Sequence, residues 1–280
     1  MNGDELLSRY AKGKRNFREV HLNGANLQGF DLREADFRGA QLMQCDLQNA
    51  NLQGANFREA NLQGAVSIAA NLRETNLIGA NLRQANLSGT DLRDANLRAA
   101  QLQKASFQNA NLTEASLHEA DLTQANLGEA NLTDANLIRS NLSRAFLKGA
   151  ILEGANLTIS NLNEANLEDA KLVKAILHSV NLTGANLNRA DLSKSKLTGA
   201  NLTDVTAIKA QLRAANVSWT TLRGINLQGA SLYRTNLSWS NLTGANLTDA
   251  VLMSANINHV TLKDAILTGA MMPDGTAYQP

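Results

Sequence analysis

Several things are scarce in this sequence, and each scarcity removes an option. A single cysteine, Cys45, rules out an internal disulfide and fits a reducing compartment. Aromatic residues make up only 4% and prolines number two, so any core must be built from small and aliphatic side chains. No stretch approaches the 18 or so consecutive apolar residues that a membrane-spanning helix needs. The opening M-N-G-D-E-L-L-S-R-Y places acids early and holds no apolar run of signal-peptide length. Formal net charge is +1, which gives no bulk attraction to nucleic acid or to an anionic membrane. These absences describe an expected cytoplasmic protein that binds neither nucleic acid nor membrane.

What the sequence does have is a period of five. From Phe17 to Met272 a large apolar residue recurs at every fifth position, 52 times without insertion or deletion, and 43 of these centres are Leu. Only Ser67 and Ala207 break the rule. Two residues before each centre the residue is Ala in 36 of the 52 cases and mostly Ser, Thr or Val in the rest, the only charge there being Arg15. A helix turns 100° per residue, so a five-residue step smears its leucines around the cylinder. A straight strand alternates faces, so an odd step sends successive leucines to opposite sides. Inside one unit, however, Ala and Leu are two apart and point the same way, with a polar residue facing out between them. The remaining pair, often Q-G, R-E or T-D, must then turn the chain.

Turning by a fixed amount every five residues, with the apolar pair always inside, winds the chain into a tube. Period alone is compatible with a triangle of fifteen residues or a square of twenty, and the lack of room for more than Leu and Ala favours a narrow, filled tube. Asn or Asp before most centres can hydrogen-bond turn backbone, and Gly two residues after the centre suits permissive dihedrals. Each small centre is followed by an isoleucine, Ile68 or Ile208. Slack at these points predicts a local bulge, with the isoleucine tilting over the gap.

The unit A-(D/N)-L-x-x, repeated over residues 15–274, resembles the pentapeptide-repeat family. That resemblance implies an all-β fold, a right-handed quadrilateral β-helix of about thirteen coils, with Leu and Ala along the axis. It divides the chain into an N-terminal cap at 1–14, the solenoid at 15–274 and a tail at 275–280. Within the cap the sequence predicts a short helix, with Asp4 as N-cap, Leu6, Leu7 and Tyr10 on one face and Gly13 as its stop. At the other end, M-M-P-D-G-T abandons the repeat and leaves the last coil thinly covered.

A search for chemistry finds little. With twenty residues per turn, positions twenty apart stack in columns. His118 and His178 share a column but stand three coils apart, about 14 Å, too far to share a metal. Cys45 falls in an inward Ala slot and reads as a packed thiol. No phosphate loop, nucleophile elbow or zinc spacing appears. The reading is a non-enzyme with no cofactor and no metal.

The surface is more informative. Residues 105–170 carry a net charge of −6 and residues 171–240 a net of +7, so charge is banded along the axis. Trp219, Trp239 and His259 occupy one outward column, and Tyr233 and Met253 stack in the neighbouring one. These five residues are the first candidate for a partner-binding patch. The column Arg18, Arg38, Arg58 and Arg98 is the second. Together they point to a protein-interaction rod, monomeric or paired through its C-terminal end. An alternative is a DNA mimic that occupies a topoisomerase, a role known in the family, but that role needs an acidic surface and this chain is near neutral. The end motifs L-L-S-R-Y-A-K-G-K-R-N-F and M-M-P-D-G-T resemble those of cyanobacterial HetL-like members. By that resemblance the expected role is regulation of heterocyst differentiation, with a protein partner such as the transcriptional regulator HetR.

Overall fold

The computed structural model describes residues 1–279, so of the tail 275–280 the last residue lies outside the described residues. The chain forms two compact units, Met1–Asn141 and Leu142–Pro280, each built from the same five-residue step.

In the first unit the helix α1 spans Gly3–Ala11. Its N-cap is Asn2, not Asp4: the Asn2 side chain accepts from the Glu5 N–H at 2.9 Å. Asp4 and Glu5 sit in the first turn, where their charge favours the helix dipole. Leu6 is fully buried while Leu7 is exposed, so the expected apolar face is narrower than the sequence reading. The 100° step per residue carries Leu7 away from the face shared by Leu6 and Tyr10. Gly13 follows the helix at φ +87°, its N–H donating to the Tyr10 carbonyl at 2.9 Å. Close packing accounts for Gly3, since a Cβ there would collide with the Asn26 carbonyl oxygen.

Asn76-Leu77-Ile78-Gly79-Ala80 shows how one repeat satisfies its backbone. The Asn76 N–H donates to the Ala55 carbonyl at 3.0 Å, and Leu77 and Gly79 donate to Asn96 and Arg98 at 2.7 and 3.0 Å. Ala80 closes the turn on the Leu77 carbonyl at 3.0 Å. That leaves the Ile78 N–H, which is taken by the Asn76 side chain, Oδ1 accepting at 3.2 Å. All five donors are therefore used, and the fifth requires a short side-chain acceptor before the centre. Where that residue is Gln41, Asn23 one coil away accepts the Met43 N–H at 2.9 Å instead. Half-buried asparagines also pair up the column, as Asn81 Nδ2 does to Asn61 Oδ1 at 3.0 Å.

The bridges of the repeat are parallel and twenty residues apart, from Asn16↔Asp36 to Asp121↔Asn141 in the first unit and from Phe146↔Asn166 to Val251↔Met271 in the second. Twenty residues at five per side make four sides, which settles the square against the triangle. Continuous strands do not form among the described residues; each side contributes one isolated bridge. The reason is length: two of every five residues are spent in the turn, and two more are flanks. Every second residue after a centre, from Glu19 to Gly269, has a positive φ, as a type II turn requires at its third position. Most of these positions carry a side chain in place of the expected glycine. They include Trp219 at φ 57°, Trp239 at φ 63° and the β-branched Ile159 at φ 59°.

The core is the axis of each unit. Leucines from Leu22 to Leu252 are at most 4% exposed, and Phe17, Phe37 and Phe57 stack inside with ring centroids 5.6 and 5.1 Å apart. Ser67 and Ala207 point inward as expected, each 2% exposed. The expected bulge is absent. Ser67 and Ala207 donate to the next coil at 2.7 Å, the same distance as Leu72. The backbone lattice fixes the coil whatever side chain occupies its centre, and Ile68 and Ile208 remain half-buried on the outside.

At the C-terminal end, Ile257, Leu262 and Met272 are only partly buried. The chain reverses there: Met271 pairs antiparallel with Ala277, and the Tyr278 N–H donates to the Ala270 carbonyl at 2.8 Å.

Candidate functional site

The corner position two residues after a centre projects outward, and its left-handed backbone aligns successive side chains in a column. In the second unit this column carries Trp219, Trp239 and His259. The indoles lie 5.0 Å apart and 4° from parallel, and the imidazole stacks on Trp239 at 4.0 Å. Trp219 is 62% exposed and Trp239 49%. Rings this large in left-handed backbone are held against a local steric cost, and the lattice behind them supplies the restraint.

That restraint includes three residues the sequence reading missed. Thr220, Thr235 and Ser240 occupy inward Ala slots directly after Trp219, Arg234 and Trp239. Elsewhere a hydroxyl in this slot donates to its own turn, as Ser195 does to Leu192 at 2.6 Å. Here Thr235 and Ser240 donate instead one coil back, to the carbonyls of Leu212 and Val217, both at 2.6 Å, and Thr220 divides its hydroxyl between Leu197 one coil back at 3.1 Å and Ser218 at 3.2 Å. The Thr220 N–H in turn reaches Ser240 Oγ at 3.3 Å. Buried hydroxyls thus tie consecutive coils together immediately behind the rings. The signal that could have revealed them is three hydroxyl residues in Ala slots within a short span, each just after an outward aromatic or cation.

Tyr233 and Met253 lie on the adjoining corner. Tyr233 makes its ring contacts with two guanidiniums, Arg213 at 5.5 Å and Arg234 at 5.1 Å, and not with the indole ladder. Met253 is 37% exposed beside that corner. The side of the coil between the two corners carries exposed Lys174, Lys194, Lys196, Arg213 and Arg234. It has no Asp or Glu from residue 173 to residue 259. Arg189, on another side, is by contrast held by Glu168 and Asp169.

The model of the family described as pentapeptide repeats matches residues 16–54 and onward, in overlapping copies, to 230–269. The chain belongs to the pentapeptide-repeat family. Family membership implies a right-handed quadrilateral β-helix, in accord with the twenty-residue parallel bridging of both units. Among solved structures, this pentapeptide-repeat protein is similar to HetL, which is involved in heterocyst differentiation regulation in the cyanobacterium Nostoc sp. strain PCC 7120. Identity is 32% over 99% of this chain and 100% of that one, with a TM-score of 0.48. It is similar at 16% identity to full-length QnrB1, a plasmid-mediated fluoroquinolone resistance protein, over 68% of this chain and 92% of that one, with a TM-score of 0.33. A pentapeptide-repeat protein of the Arabidopsis thaliana thylakoid lumen is 33% identical over 39% of this chain and 66% of that one, with a TM-score of 0.27. A comparison with curated proteins found no match.

The remaining candidates are placed as follows. Arg18, Arg38 and Arg58 line a shallow groove of about 310 Å³ with Glu19 and Glu59, and Ile78 separates them from Arg98. Each is paired: Arg18 and Arg38 share Asp36 at 2.7 and 2.8 Å, Arg58 meets Glu59 at 3.1 Å and Arg98 meets Glu119 at 3.6 Å. Cys45 is fully buried, and desolvation pushes its thiol up to about 12. Among the described residues no three His, Cys, Asp or Glu side chains come together in a way that could hold a metal ion. No helix among them is long and apolar enough to cross a membrane.

Proposed function

We propose that this pentapeptide-repeat protein is a non-enzymatic interaction scaffold, with its partner-binding surface at Trp219, Trp239 and His259 and the neighbouring Tyr233 and Met253. The observation that carries the proposal is the exposed ring ladder. Two tryptophans, the only ones in the chain, stand outward in a backbone conformation that disfavours them, beside cations on a side that carries no Asp or Glu from residue 173 to residue 259. Solvation alone does not favour such a placement, whereas tryptophan, tyrosine and arginine are the side chains that anchor protein interfaces. The cationic side would steer an acidic partner.

The end motifs shared with HetL-like members support a regulatory scaffold, with a protein such as HetR as the kind of partner. The partly covered C-terminal coil, with Ile266 and Met271 exposed, is where two copies would pair. The DNA-mimic reading is disfavoured because the cationic side would repel the DNA-binding surface of a topoisomerase.

The test is to identify the partner by pull-down and titrate it against the parent and a variant carrying Trp219→Ala with Trp239→Ala. Folding should stay within about 1–2 kcal/mol of the parent, since exposed rings lose only stacking. Binding should fall at least about tenfold, as for a hot-spot pair. Equal affinities would refute the ladder and transfer the proposal to Arg18, Arg38, Arg58 and Arg98.

A further inference from the structure

The ring ladder has two ends, and they differ. At one end His259 covers Trp239 at 4.0 Å. At the other the column continues to Gly199, which has no side chain to place against Trp219. A Cβ built on Gly199 meets nothing nearer than Ser179 Oγ at 3.5 Å. One face of the Trp219 indole therefore looks over an empty place in the column, and Trp219 is the more exposed of the two tryptophans. The coil that carries Gly199 also carries exposed Lys194 and Lys196, and Lys174 stands one coil further back.

We infer that this place is a stacking slot for one aromatic side chain of a short acidic protein segment. The inference rests on the ladder being the partner surface and adds what the partner must present. Aromatic stacking supplies the first half of the recognition. Charge supplies the second, because Lys174, Lys194 and Lys196 stand exposed on the adjoining side, which carries no carboxylate from residue 173 to residue 259. The occupant is short because the cationic band is short. It spans residues 171–240, about 17 Å of coil stacking, and on this side of the coil the next charged residues are carboxylates, Glu153 before it and Asp274 after it. A nucleic acid long enough to leave the band would run onto those carboxylates. A peptide with two or three acids around one ring fits inside.

The probe is the blocked peptide Glu-Glu-Phe-Glu-Glu, followed by calorimetry and by the fluorescence of the only two tryptophans. Its comparators are the same peptide with Ala for Phe, the same with Gln for Glu, and a single-stranded pentathymidylate. The variant is Gly199→Gln. Gln44, Gln84 and Gln124 hold the same corner position at φ 55°, 58° and 58°, so the substitution suits the backbone while laying an amide across the ring. Gly199→Ala, too short to cover the ring, is its control; Ala69, Ala99 and Ala214 take the same backbone.

The Phe peptide should bind the parent and Gly199→Ala roughly three- to tenfold more tightly than the Ala peptide, the range an aromatic pair contributes. Gly199→Gln should erase that preference, and replacing Glu by Gln in the peptide should weaken binding to every form. An undiminished Phe preference in Gly199→Gln, or no preference in the parent, overturns the slot. Tighter binding of the oligonucleotide than of the peptide overturns the occupant. If the slot fails while Trp219→Ala with Trp239→Ala still abolishes partner binding, the ladder stands and only the stacking slot is lost.

Discussion

Replacing Ala207 by leucine should stabilise the protein, and the expected size follows from the lattice. Ala207 is 2% exposed at a centre where nearly every other unit carries Leu. Its N–H donates to the next coil at 2.7 Å, as do the N–H groups of Leu197 and Leu202 on the preceding sides and of Leu227 on the same stack, so no backbone movement is needed to seat a larger side chain. Leu adds three carbons to Ala, and each buried methylene-sized group contributes about 0.8 kcal/mol, for roughly 2.4 kcal/mol. Ordering the new side chain costs about 0.5–1 kcal/mol. The expected gain is about 1.5–2 kcal/mol. Urea unfolding should show a higher midpoint for Ala207→Leu with the slope unchanged. The reverse change nearby, Leu202→Ala, should cost about 2–5 kcal/mol. An unchanged or lowered midpoint for Ala207→Leu would mean that neighbouring side chains have already closed over the small centre. The axis would then be adaptable, and the reasoning from fixed coil geometry would be wrong.

The other outcomes follow the same geometry. Leu137→Lys places an ammonium in a fully buried site with no acceptor and should cost several kcal/mol, visible as loss of the cooperative transition on thermal melting. Asn246→Ala strands the Thr248 N–H that Oδ1 accepts at 3.0 Å and should cost about 1–2 kcal/mol, whereas Asn246→Asp keeps that acceptor and should melt close to the parent. Glu168 and Asp169 are held below their ordinary values of 4.5 and 3.8, chiefly by hydrogen bonds from Arg189. A depressed carboxylate stabilises the fold above its unfolded value and loses that contribution as pH falls through the folded one. Acid unfolding should thus steepen from about pH 4.5 downward, and Arg189→Gln should flatten that limb; both effects should shrink in high salt because the cluster is exposed.

Much of the fold was legible because a strict period leaves the core no choice. The inward leucines, the small Ala slots and the polar residue before each centre all follow from one five-residue unit that must turn and still fill a narrow axis. Two features were not legible. Whether a coil has three sides or four depends on the turn angle, which no count of residues contains; the bridges at twenty residues decide it. The bulge expected at Ser67 and Ala207 came from treating side-chain volume as the thing that sets the backbone. Three of the five N–H groups of a unit bond to other coils, so the lattice sets the backbone and the side chain accepts what space remains. The cap was misread by two residues for a local reason. Asn2 and Asp4 are both good N-caps, and the choice fell to the one that leaves Gly3 against the Asn26 carbonyl.

The same regularity makes the candidate site readable in an unusual way. Once the period is twenty, a surface column is arithmetic, so Trp219, Trp239 and His259 could be aligned from their numbers alone, and the rings do stack. Arithmetic places side chains in columns but says nothing of which neighbour each one chooses. Tyr233 turns to Arg213 and Arg234 because a guanidinium on either side offers a ring more than solvent does. Thr220, Thr235 and Ser240 reach back one coil, where most hydroxyls in that slot close their own turn, a choice that no residue count contains. It bears on binding through entropy. Rings held by a stitched backbone lose little freedom when a partner covers them, so more of the contact appears as affinity. Removing a stitch while leaving every ring in place separates the two contributions. Ser240→Ala should leave the stacked indoles present but looser, raising the partner's dissociation rate several-fold with little effect on association. If Ser240→Ala binds and releases the partner as the parent does, the hydroxyls serve only the coil, and the ladder owes its order to stacking alone.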